Sequence, residues 1–276
     1  MKKTLRYLLL AIVAALMLAP FLWMVITSLE SPEALIQFPP KLIPSPPRFS
    51  NYATVFRELP IGTFFYNSVK ISVLGTVGEL MAASLAAFAF AQMEFRGKRV
   101  IFAVLLSTMM IPFQVTMVPV YVIMRYLGWL DSHASLIVPH FFGGAFASGA
   151  FGVFLLRQFF ESVPKELEDA SRIDGASRFR FFLTILLPLS KPALAVLSLF
   201  VFMGIWNDLL TPVLFLSSED KMPLPFGLAV LQNVQHTFRY DLLMAGTLVS
   251  VVPIVLAYIF AQRHVTNSFL KAGLKG

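Results

Sequence analysis

A chain of 276 residues that is 57% hydrophobic and only 13% charged, with a mean hydropathy of +0.76, falls far below the roughly 25% charged residues of a soluble domain. Its formal charge of +7 would suit a nucleic-acid partner, but the basic residues sit at the ends of apolar runs, which makes the excess a topology signal with anionic headgroups as its contact. With no cysteine, disulfides, thiol catalysis and cysteine-held metals are excluded.

Apolar runs comparable to the ~20 residues that a bilayer-spanning helix needs lie near 7–28, 66–91, 100–125, 134–156, 192–216 and 240–261. In hydrocarbon the backbone must satisfy its own hydrogen bonds, and none of these runs alternates like a barrel strand, so all are predicted as helices. The expected fold class is an all-α integral membrane protein of six transmembrane helices, one transmembrane domain over 1–276 with a long connecting loop at 157–191.

The first run follows Lys2, Lys3 and Arg6 and imitates a signal peptide. It is too long and ends at Pro20, Phe21, Leu22 and Trp23 without a small-residue cleavage site, so it is expected to be retained, with Trp23 at the outer interface. The proline-rich stretch 29–65 is expected to form an extended external loop with short interfacial helices. In the second run Ala82, Ala83, Ala86, Ala87, Ala89 and Ala91 give a small face suited to close helix packing. Glu79 lies deep in the same run, where a charge faces the bundle interior or water. It reads as a gate or pathway residue, or as a hydrogen-bonded packing residue. Lys70 is too far along the helix to pair with it, so its partner must come from another helix.

The third run carries Gln114 and Thr116 between Pro112 and Pro119, either lining a pore or satisfying a kinked backbone. His133 and His140 fit one helix face, but without a carboxylate at ligand spacing no metal site is expected. In the fifth run Trp206, Asn207 and Asp208 precede Thr211 and Pro212. An aromatic face beside an amide and a carboxylate suits a sugar. Alternatively, Trp206 anchors at the interface and the polar pair packs a kink.

Basic residues crowd one side: Lys2, Lys3 and Arg6; Arg96, Lys98 and Arg99; Arg157, Lys165, Arg172, Arg178, Arg180 and Lys191; Arg263, Lys271 and Lys275. The positive-inside rule places both termini and the 157–191 loop in the cytoplasm of a multi-pass protein. There is no G-x4-G-K-[ST] phosphate loop, no H-E-x-x-H and no G-x-S-x-G. The chain is therefore expected to be no enzyme, with no catalytic residues and no cofactor of its own.

One polar island interrupts the oil: Asp169, Ala170, Ser171, Arg172, Asp174, Gly175, Arg178 and Arg180, with Phe179, Phe181 and Phe182 as aromatic anchors beside the charges. Its charges exclude it from hydrocarbon, and Gly175 allows a sharp turn or a partner's close approach. The run resembles the E-A-A-x3-G-x9-I-x-L-P loop of permease subunits in bacterial binding-protein-dependent ABC importers. Asp169-Ala170-Ser171 stands in place of Glu-Ala-Ala, and Gly175 is followed at full spacing by Ile185, Leu186, Leu187 and Pro188. The Trp206-Asn207-Asp208 run and the tail 269–276 resemble the second permease of maltose-type carbohydrate systems.

The resemblance implies a type I importer permease fold in a bacterial plasma (inner) membrane. It also implies a second permease subunit, two ATPase subunits that bind ATP and Mg, an extracytoplasmic solute-binding protein and membrane lipids as partners, with no nucleic acid. The island would be a coupling helix seated on an ATPase through Asp169, Ala170, Ser171, Arg172, Asp174, Gly175 and Phe179. Trp206, Asn207, Asp208, Glu79 and Gln114 are the candidates for the solute path. The alternative is a stand-alone secondary transporter, which would want several intramembrane carboxylates or paired broken helices.

Overall fold

The computed structural model describes residues 2–35, 37–39, 43–143, 148–234 and 239–273, the last stretch with side chains only through Phe260 and at Gln262. The tail motif therefore lies outside the residues whose side chains are described. In chain order the helices are α1 (Lys2–Ser28), α2 (Pro32–Leu35), α3 (Ser50–Glu58), α4 (Ile61–Gln92), α5 (Lys98–Ser107), α6 (Phe113–Tyr126), α7 (Ala134–Ile137) and α8 (Ser148–Glu161). They continue as α9 (Lys165–Ile173), α10 (Arg178–Phe181), α11 (Leu187–Leu189), α12 (Lys191–Trp206), α13 (Leu210–Phe215), α14 (Leu224–Val234) and α15 (Tyr240–Gly273). No strand occurs among the described residues.

Among the described residues, three helices are long and apolar enough to cross a bilayer: Lys3–Ser28, Ile61–Gln92 and Tyr240–Phe260. Two further spans result if the bent pairs Lys98–Met110 with Phe113–Tyr126 and Arg178–Leu189 with Lys191–Trp206 each count as one. The third predicted run is thus not one helix but two, meeting at 101°. The cause is local. Pro112 pushes Ile111 out of the helical region to φ −85°, ψ 111°, and is itself extended at ψ 142°.

The fifth predicted run also breaks, at residues 207–209 between α12 and α13. Pro212 cannot donate to the carbonyl four residues back, and its ring crowds that carbonyl. Trp206, Asn207 and Asp208 therefore mark a helix end instead of lying within a continuous span. Pro20, Pro119 and Pro253 sit inside unbroken helices. The fourth predicted run is not one helix among its described residues: it holds α7, a 3-10 turn at Val138–Phe142 and, from Ser148, the start of α8.

Contacts divide the chain into two units, 1–65 with 223–253, and 66–222 with 254–276. In the first, α1 is exposed over most of its length, and its end is held by α3. Asn51 Nδ2 donates to the carbonyls of Ser28 and Glu30, both at 2.9 Å, and Ser28 Oγ meets the Tyr52 hydroxyl at 2.9 Å. Each buried bond of this kind is worth about 1 kcal/mol. Val55, Ile61, Phe64, Leu224, Leu242 and Ala245 fill the core of this unit.

The second unit has a core of Ala83, Ala87 and Phe88 from α4, Val153, Leu156 and Phe160 from α8, Phe181, Phe182 and Leu186, and Leu197 and Val201 from α12. The alanine face of α4 serves as the helix interface its small residues suggested. Gly152 of α8 lies so close to it that an added Cβ would stand 3.1 Å from Ala83 Cβ.

Candidate functional site

The polar island folds into a compact platform. Glu166 and Glu168 in the first turn of α9 and Arg172 in its last turn complement the helix dipole. Asp174 ends the helix, and Gly175 reverses the chain at φ +78°, a left-handed conformation that costs glycine no Cβ clash. The Gly175 N–H donates to the Arg172 carbonyl at 3.0 Å and the Ala176 N–H to the Ser171 carbonyl at 2.9 Å, the bond pair of a Schellman cap. Ser177 then starts α10, its Oγ accepting from the Arg180 N–H at 3.2 Å.

Asp169, Ala170, Arg172, Asp174, Gly175 and Phe179 are exposed on this platform. Ser171 is buried, with its Oγ donating to the Glu168 carbonyl at 2.8 Å. Glu168 gathers Arg172 at 3.9 Å and Arg178 at 3.8 Å. Asp169 and Asp174 form no ion pair among the described residues, so their charge faces outward.

Two of the three expected surface aromatics are not at the surface. Phe181 and Phe182 are each 2% exposed and belong to the core, against 57% for Phe179. Their burial follows from the turn at Gly175, after which Phe181 and Phe182 join the core built on α4 and α8. Phe179 lies 6.0 Å from Phe182, centroid to centroid. Phe182 lies 4.8 Å from Phe88 of α4 and stands edge-on to Phe160 of α8 at 6.5 Å. Residues Phe182–Leu186 form a π-helical turn, a rare form that concentrates at functional positions.

The candidate path residues fall into two groups. Gln114 is exposed on the first turn of α6, just past the 101° bend, while Thr116 Oγ1 satisfies the Phe113 carbonyl at 3.0 Å. Asn207 is exposed at the end of α12, its Nδ2 donating to the Met203 carbonyl at 2.8 Å. Asp208 is half-buried and caps α13, its Oδ1 accepting from the Thr211 N–H at 3.2 Å.

Trp206 and Glu79 lie inside. Trp206 is 1% exposed and stacks on Phe202 at 5.6 Å, so its ring supports the break instead of presenting a face. Glu79 is fully buried, and its Oε2 meets Nδ1 of His140 at 2.7 Å. His133 goes elsewhere, its Nε2 2.8 Å from the Lys221 carbonyl, so the two histidines share no site. No metal-holding cluster occurs among the described residues.

A polar clamp ties the segments that follow the two breaks. Tyr121 of α6 stacks on Phe215 of α13 at 6.5 Å, and the Asp131 N–H donates to the Phe215 carbonyl at 2.7 Å. The Asp131 carboxylate accepts from the Ser217 and Ser218 N–H groups at 3.0 and 2.9 Å, from the Ser218 hydroxyl, and from Lys221 Nζ at 2.8 Å. These bonds, Lys221 first and Ser218 next, hold its carboxyl well below the usual carboxylate range, and Asp131 in turn raises Lys221. Asn67 of α4 joins the clamp by donating to the carbonyls of Asp220 and Met222 at 2.9 and 3.0 Å.

Sequence reasoning missed His140 as the partner of Glu79, and Asp131 with Lys221 as a clamp. The first was within reach: intramembrane ionisable groups tend to pair, and His140 is the one histidine placed in a predicted run alongside a lone carboxylate. The second was not, because loop sequences carry no register.

Residues 79–271 match the family described as binding-protein-dependent transport system inner membrane component. The arabinooligosaccharides transport system permease protein AraQ of Halalkalibacterium halodurans is 34% identical over 96% of this chain and 94% of its own length. The diacetylchitobiose uptake system permease protein NgcG of Streptomyces coelicolor is 32% identical over 92% and 83%. Among solved structures, a bacterial ABC transporter involved in the import of the acidic polysaccharide alginate superposes with a TM-score of 0.80. It is 27% identical and covers 95% of both chains.

Proposed function

Since the chain belongs to the binding-protein-dependent transport system inner membrane component family and is an ABC importer permease, we propose that it forms the translocation path for a short oligosaccharide together with a second permease. Two ATPase subunits on the cytoplasmic side bind ATP and Mg2+ and supply the energy, and an extracytoplasmic solute-binding protein delivers the solute. This reading displaces the stand-alone secondary transporter. It gives the chain six spans, counting the predicted run 134–156 as the fourth and α12 with α13 as the fifth, with both termini in the cytoplasm.

The platform at residues 165–181 is the ATPase contact. The observation that carries this is the pairing of a Schellman turn at Gly175 with outward-facing Asp169, Ala170, Arg172, Asp174 and Phe179. Charge-assisted bonds to Asp169 and Asp174 would fix the seat against sliding. The buried Ser171 stabilises α9 from within instead of touching the ATPase. Closure of the ATPases moves the platform, and the ring contacts of Phe182 carry that motion to α4 and α8.

The solute path runs past the two helix breaks. Unwound backbone is tolerated at membrane depth only against protein or a water-filled cavity, and interrupted helices commonly build transporter sites. Gln114, Asn207 and Asp208 are the contacts. Trp206 supports the break from behind and Glu79 lies deeper.

Gly175→Trp tests the platform. At φ +78° any side chain is strained, and an indole would project where nothing stands within 4 Å. The variant is expected to insert normally but to lose co-purifying ATPase. Wild-type retention of the ATPase by a well-inserted Gly175→Trp chain would remove the docking role.

A further inference from the structure

The Glu79–His140 pair is buried on both sides, at 0% and 8% side-chain exposure, near the middle of the 32-residue helix α4. Paired in this way, ionisable groups persist inside a membrane protein. The pair does not stand alone. Gly75, one turn before Glu79, and Gly78, its immediate neighbour, open a notch in α4. A Cβ on Gly78 would overlap the Phe141 ring, and one on Gly75 would stand 3.1 Å from His140 Cδ2.

The Val138–Phe142 turn is therefore seated in α4 by shape and by charge together. Ile205 enters the same notch: a Cβ on Gly75 would stand 2.7 Å from its Cδ1. Ile205 directly precedes Trp206, where α12 ends and the break bearing Asn207 and Asp208 begins.

We propose that Glu79 and His140 are a positioning pair for the translocation path, locking the Val138–Phe142 turn into the α4 notch and thereby setting the place of Ile205 and the break behind it. The proposal rests on the reading of that break as path-lining. Neither residue touches the solute. The pair is a register device, the best-attested use of a buried polar pair. Apolar side chains at 79 and 140 would pack against each other without fixing which turn of α4 meets the 3-10 segment.

The test uses the natural absence of cysteine. Gly204, on α12 just before the break, is exposed and an added Cβ there meets nothing within 4 Å, so Gly204→Cys is a reporter thiol. The assembled complex is labelled with a small water-soluble maleimide, and its ATP hydrolysis is followed in parallel. Glu79→Leu and His140→Leu are each expected to change the labelling rate several-fold and to lower ATP hydrolysis by about tenfold, because each removes one half of a buried, hydrogen-bonded pair. The exchanged pair, Glu79→His with His140→Glu, is expected to restore both.

Unchanged labelling in the leucine variants, or an assembled exchanged pair as impaired as they are, overturns the proposal. Should the leucine variants fail to accumulate, Gly78→Val decides. It displaces Phe141 while leaving both ionisable groups intact, so unchanged labelling in it also overturns the proposal. A wild-type chain that retains no ATPase would instead defeat the importer assembly, and the Gly204→Cys labelling would still judge the pair.

Discussion

Asp131 adopts φ +52°, a conformation few non-glycine residues take, and its carboxylate accepts bonds from Ser217, Ser218 and Lys221. A carboxylate whose folded pKa is depressed contributes stability above its unfolded value, about 3.9, and loses that contribution as pH falls through the folded value. The Ser217 and Ser218 amides are therefore predicted to stay protected from hydrogen exchange at pH 4, after correction for intrinsic rates, and to lose protection only well below the ordinary carboxylate range. Asp131→Asn should remove the protection at neutral pH. Loss of protection in the wild-type chain at an ordinary carboxylate pKa would contradict the clamp. None of this was readable beforehand. Asp131 and Lys221 are ninety residues apart in two loops, and only the folded chain brings them together. Gly175 is the opposite case: its lack of a Cβ allowed either a sharp turn or a partner's close approach, and φ +78° carries out the first.

At the scale of elements, the π turn Phe182–Leu186 joins the platform to the long helices. Phe182→Ala would empty a buried site where three rings meet, typically at a cost of about 3–5 kcal/mol. Phe182→Leu keeps most of the volume and loses the ring contacts. We predict that Phe182→Leu complexes assemble and hydrolyse ATP but transport less solute per ATP. A parallel fall in both rates would assign Phe182 to packing alone. Hydropathy identified α1, α4 and α15 because their apolar runs are uninterrupted. It could not locate the breaks, since averaging over a window erases a bend at Ile111 or Asn207. Proline did not resolve this. Pro112 and Pro212 accompany breaks while Pro20, Pro119 and Pro253 sit within helices.

For the whole molecule, composition was enough for class. A chain this apolar must keep its charges outside its apolar runs, and the platform lies in the stretch between them that holds the most charges, 157–191. Which aromatics of that island face a partner was not readable, because Phe179, Phe181 and Phe182 are chemically identical and only folding assigns their sides. The account turns on the platform seating on an ATPase, and a single thiol at Ala170→Cys, exposed on α9 of a cysteine-free chain, addresses that directly. After treatment of native membranes with a short bifunctional cross-linker, the account predicts a covalent adduct with the ATP-hydrolysing subunit, lost in the Gly175→Trp background. An Ala170→Cys chain that supports transport yet forms no adduct with an ATPase would contradict it.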